Sequence, residues 1–241
     1  MSISSPSVKK ILSGFLVLCA LAILVSLGVW QLQRKAWKEA LIADINARAH
    51  SQPVAISPEK DWVNWDPAKD EFRHVTVTGT YAQTNDIAVY GLMQDPKTSD
   101  TLQGHYLFSP LLLENGTAVF INRGFVPNDI KIPSPPIGIV TVEGILRAPE
   151  QKGWFVPANQ PEKGEWFTRD APAMAAYKNL ARNAPFYIEA DAKLNETSTT
   201  WPRGGVTREI TLKNDHLQYA LTWFGLATVL LGITGYALVR K

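Results

Sequence analysis

The chain has 241 residues, 46% of them hydrophobic and 19% charged, with 24 basic and 22 acidic side chains for a net charge of +2. That near-balance leaves no basic footprint for nucleic acid, and the single cysteine, Cys19, excludes an internal disulfide and a thiolate metal cluster. Bulk numbers of this kind suit a soluble protein, but their distribution along the chain does not.

A tail, residues 1–10, carries Lys9 and Lys10, and from Ile11 to Trp30 there is then no charged residue. A helix rises about 1.5 Å per residue and the hydrocarbon core is roughly 30 Å thick, so residues 11–30 can span a bilayer. The run exceeds the apolar region of a cleaved signal peptide, about 7–15 residues, and reads as an uncleaved anchor. Beyond it, "QLQRKAWKEALIADINARAH" sets Leu32, Ala36, Leu41 and Ile45 among charges at helical spacing. This predicts an amphipathic continuation of the same helix. Trp30 and Trp37 suit an interfacial belt, and "SPEKDWVNWDPAKD" marks a loop.

From Phe72 the period becomes two. "FRHVTVTGTY" puts His74, Thr76 and Thr78 on one side and Val75 and Val77 on the other, as a half-buried strand does. "DIAVYGLM", "HYLFSPLLL", "TAVFINRGFV" and "GIVTVEGIL" repeat the theme, and Glu114-Asn115-Gly116 makes the clearest hairpin turn. A helix is predicted over 172–182 with Asp170 as cap, and "PFYIEAD" and "TREITL" supply late strands. The expected fold is a membrane protein in which two transmembrane α-helices flank a mainly antiparallel β domain, residues 31–216, built as a small barrel or sandwich with one helix.

The second span is residues 217–239, uncharged throughout, followed by a tail of Arg240 and Lys241. Lys9, Lys10, Arg240 and Lys241 lie outside the spans and every acidic residue lies between them. We therefore place both tails in the cytoplasm, since a loop this long translocates largely regardless of its own charge.

No nucleophile elbow, phosphate-cradling glycine loop, His-Glu-x-x-His or Cys-x-x-Cys-His occurs, and nothing recruits an enzyme hypothesis. Of the four histidines, His50, His74 and His105 read as strand or helix-end residues, because isolated imidazoles lack the clustered partners of a metal site. His216 differs in its place at the rim of the second span. At about 100° per residue, Tyr219, Ala220, Trp223, Ala227 and Thr234 share its face, giving an imidazole, an aromatic plane below it and small residues that leave room. Haem needs those three things. The plainer reading is an interfacial histidine above small residues that pack the two helices together. "INRGFVP" and "WPRGGVTREI" bring arginine beside glycine; they read as strand ends with turns, or as sites where Arg123, Arg203 or Arg208 pairs with a partner's or cofactor's carboxylate.

"LGVWQLQRKAWKEALI", "FRHVTVTGTY", "GHYLFSPLLLENGTAVFINRGFVP", "EGILRAPE", "PANQPEKGEWFTRD" and "PRGGVTREITLKNDHLQYALTWFGLA" occur in this order over nearly the whole chain. Together they resemble the surfeit locus protein 1 family. The resemblance implies a multi-pass inner-membrane protein, bacterial with a periplasmic main domain or mitochondrial, that assists biogenesis of haem-copper cytochrome c oxidase and is not an enzyme. It implies transient binding of haem a and its delivery to the largest oxidase subunit, with haem a synthase and membrane lipid as further candidate partners. It carries the haem-iron ligand onto His216 and a tryptophan beside it onto Trp223. The glycine of the family's "NRG" motif falls on Gly124, in a structural role, and Phe125 stands where many members have Trp. A scaffold that stabilises an oxidase intermediate without holding cofactor stays open as the second reading.

Overall fold

The computed structural model describes residues 6–84, 86–95, 98–192, 201–204 and 214–240. The chain forms two compact units, a helical one from residues 1–44 and 211–241 and a β unit from residues 45–210.

In the helical unit, α1 (Pro6–Ala49) takes both the apolar run and the amphipathic segment after it without interruption. No proline or turn residue intervenes, so one helix carries the chain from one composition to the other. Its partner is α4 (His216–Val239). Both are long and apolar enough to cross a membrane, and Leu18 and Leu238 are about two-thirds exposed, as side chains facing lipid would be. Where the two helices meet, side chains are small: Ala220 and Ala227 are buried on α4, and a β-carbon on Gly28 would lie 2.6 Å from the Phe224 ring. Close approach of two apolar helices requires such gaps.

The β unit begins with a two-residue strand β1 (Val54–Ala55), a 3-10 turn over Glu59–Asn64 and a short helix α2 (Pro67–Asp70) capped by Asp66. Strands β2 (His74–Tyr81), β3 (Ile87–Gln94), β4 (Thr101–Leu112), β5 (Ala118–Pro127) and β6 (Ile139–Arg147) follow, then helix α3 (Ala171–Tyr177) and strand β7 (Asn183–Ala190). The order is β1-β2-β6-β7-β5-β4-β3, and β2 also pairs with β4 through Thr80 opposite Leu112 and Tyr81 opposite Leu111. Strands β2, β6, β7, β5 and β4 thus close into a small barrel, with β3 added outside β4. Pairing is antiparallel except for β5 with β7 and β1 with β2.

Alternation along the strands separates two cores. Val75, Val77, Leu111, Ile121, Leu146 and Phe186 come from all the barrel strands and pack together, with Trp62 at 5.2 Å from Phe186, ring centroid to ring centroid. On the opposite strand faces, Val89, Phe108, Phe120 and Tyr187 pack with Trp166 and with Ala171 and Met174 of α3. Asp170 accepts a bond from the Ala173 N–H at 3.1 Å, as a cap should. α3 stops at Tyr177, earlier than the sequence periodicity predicts, because Asn179 adopts a left-handed conformation at φ 53° and the Leu180 N–H turns back to the Ala175 carbonyl at 3.0 Å. The expected "TREITL" strand lies outside the described residues.

Candidate functional site

His216 is the first residue of α4, and its ring faces α1. Nδ1 lies 2.7 Å from Oε1 of Gln31, a side chain only 9% exposed. An amide oxygen accepts and cannot donate, so Nδ1 carries the proton and Nε2 of the neutral ring keeps its lone pair. Among the described residues Nε2 has no hydrogen-bond partner. An imidazole fixed through one nitrogen with the other left open is how protein ligands to metals are oriented. Gln31 is the residue of this candidate site that the sequence did not disclose. It stands 185 residues from His216, and its only sequence signal is a polar residue directly after an apolar span.

Trp223 lies two turns further along α4 and is half-buried. The small residues have a different role from the one expected of a spacious face. Ala220 and Ala227 are 1% and 5% exposed, and so are already covered within the helical unit. Tyr219 is more than half exposed. The open part of this face is therefore the His216 rim and the exposed portion of Trp223, rather than a channel along the whole helix. A nitrogen with a free lone pair and an accessible aromatic face fit a planar iron macrocycle.

In the β unit, the two arginine-glycine stretches meet. The Phe125 N–H donates to the Arg203 carbonyl at 2.9 Å and the Arg203 N–H to the Phe125 carbonyl at 3.0 Å. Gly124 makes this possible. Its φ is +118°, and a β-carbon there would lie 2.0 Å from the Arg203 carbonyl oxygen, so only glycine lets the two backbones touch.

Arg123 points into the protein. Its guanidinium pairs with Asp86, whose other carboxylate oxygen accepts from Ser109, and Nη2 donates to the Pro133 carbonyl at 2.7 Å. The side chains of Arg123 and Asp86 are 8% and 3% exposed, so this is a buried pair that anchors the proline-rich loop after β5. Arg123 lines a cavity of about 470 Å³ together with Tyr81, Val140, Val142, Ala190 and Pro202. Burial pushes the Tyr81 phenol up to about 12. Arg203 stacks over Trp201 at 4.3 Å and approaches Asp95 at 3.7 Å. Arg208 lies outside the described residues. Both described arginines thus have carboxylate partners within the protein itself.

A model of the SURF1 family matches residues 18–228. The human surfeit locus protein 1 is 34% identical over 231 residues, covering 89% of this chain and 72% of the human protein. The rat protein of the same name is 33% identical over 230 residues, covering 89% and 71%, and a SURF1-like protein of Monosiga brevicollis is 31% identical over 226 residues, covering 86% and 80%. His216, Trp223, Gln31, Gly124 and Arg203 all fall inside the span matched by the family.

Proposed function

Because the chain belongs to the SURF1 family, we propose that it is an assembly factor for haem-copper cytochrome c oxidase, which binds haem a through His216 and hands it to the largest oxidase subunit. The observation that carries this reading is the His216–Gln31 bond at 2.7 Å, which leaves Nε2 with a lone pair and no competing partner among the described residues. Trp223 offers a flat apolar contact on the same helix face. Haem a is cargo here: it is bound, held and released, no covalent bond is made, and no residue is assigned a catalytic step. Haem a synthase is the natural source, since its product is insoluble in water and both proteins would meet it in the bilayer.

The proposed topology places both tails in the cytoplasm and residues 31–216 on the outer side of an inner membrane, periplasmic in a bacterium. There His216 stands at the same membrane rim as Gln31. The second reading, a scaffold without cofactor, draws on Ala220 and Ala227, which serve helix packing. An absorption spectrum of the full chain, purified from membranes of cells that make haem a, separates the two. The first reading expects a haem a Soret and α band in stoichiometric amount; a colourless protein that still binds oxidase intermediates would establish the scaffold.

A further inference from the structure

His74, on β2, is 5% exposed, and both of its ring nitrogens face acceptors. Nδ1 lies 2.8 Å from the Ser51 carbonyl oxygen and Nε2 lies 2.8 Å from Oδ2 of Asp191. A neutral imidazole has one N–H to give. The Ser51 carbonyl can only accept, so the proton stays on Nδ1, and the Nε2 lone pair then confronts a carboxylate. A proton shared by Nε2 and the carboxylate closes such a contact, and so does a metal cation bound to both.

Glu143 favours the cation. It lies on β6, where its carbonyl receives the Asp191 N–H at 3.0 Å. Its carboxylate, the His74 nitrogen and the Asp191 carboxylate offer one ligand atom each, all within 4.8 Å of one another. A histidine-aspartate pair closed by a proton has no use for a second carboxylate, whereas a divalent cation gains a third ligand and a second negative charge from it. Glu143 and Asp191 also line the 470 Å³ cavity, which supplies an entry path and space for a water as fourth ligand. The bond from Nδ1 to the Ser51 carbonyl is the outer support that metal-ligating histidines have.

We propose that His74, Asp191 and Glu143 form a site for one divalent cation of the zinc class. One imidazole and two carboxylates suit Zn²⁺ at about 2.0–2.2 Å per bond. The absence of sulfur from the set argues against Cu(I), which selects thiolate or thioether. Such an ion joins the backbone at Ser51, just after α1, to strands β2 and β6 and to the end of β7 at Asp191.

The test uses the full chain in detergent, stripped with a chelator and dialysed against Zn²⁺. Wild type is expected to take up one Zn²⁺ per chain and to melt at a higher temperature with it than without. Glu143→Gln replaces an exposed side chain and leaves folding intact; it is expected to weaken Zn²⁺ binding by roughly tenfold or more, on the scale of losing a supporting ligand. Asp191→Asn should abolish it. His216→Ala, which removes the imidazole assigned to haem, should keep it, so this site can fail while the haem reading stands. No stoichiometric Zn²⁺ on wild type, or equal affinity in wild type and Glu143→Gln, overturns the proposal and leaves His74 and Asp191 as an ion pair.

Discussion

A β-carbon on Gly124 would meet the Arg203 carbonyl at 2.0 Å, so Gly124→Glu either breaks the bridge to residues 201–204 or forces β5 aside. With the left-handed φ added, the expected cost is about 2–4 kcal/mol, read as a lowered melting temperature and reduced accumulation in membranes; a variant that melts like the parent contradicts it. Tyr187 points the other way. It is fully buried, and its hydroxyl has no hydrogen-bond partner among the described residues, so Tyr187→Phe should leave the melting temperature unchanged or raise it slightly. Burial pushes this phenol from 10.0 up to about 12, against the pull of Arg169 and Arg147. A pKa raised in the folded state means that the stabilisation is intact below pH about 10 and is lost as pH rises through about 12. Ultraviolet titration should therefore show late-ionising phenols assigned to Tyr81, Tyr106 and Tyr187, one fewer in Tyr187→Phe; ordinary ionisation near 10 for all tyrosines would refute the burial.

Between elements, the local patterns proved informative and the pairings did not. The period of two in "FRHVTVTGTY" and the turn residues Glu114-Asn115-Gly116 mark β2 and the β4–β5 hairpin, because alternation and turn chemistry are written in neighbouring residues. Nothing local announces that β7 lies parallel to β5, or that Thr80 and Tyr81 close the barrel on β4. Those pairings join segments far apart in sequence and follow from which faces must be buried together. The same holds for the site. His216 and Trp223 could be placed on one helix face from spacing alone, whereas Gln31 and the pairing of Arg123 with Asp86 depend on another element arriving. Helix contact is itself testable at Gly28, whose missing side chain admits Phe224. Gly28→Leu should push α1 and α4 apart and lower haem a occupancy without touching the proposed iron ligand; unaltered occupancy would show that haem binding does not depend on this contact.

Across the whole molecule, two apolar helices bracket one β unit, and the proposed arrangement puts that unit outside and both tails inside. A reporter that is active only in an exported compartment should stay silent when fused after Lys241 and become active when inserted in the loop after β5; activity at Lys241 would invert the topology. Within that frame haem a is proposed to be held by its iron at His216, and the haem a content of His216→Ala tests this most directly. Purified beside wild type from the same haem a-producing cells, and matched to it for membrane insertion and melting temperature, the variant is expected to carry little or no haem a, because the ring proposed to ligate the iron is gone while the fold is kept. A His216→Ala protein holding a full complement of haem a with an unaltered spectrum would show that the iron is ligated elsewhere.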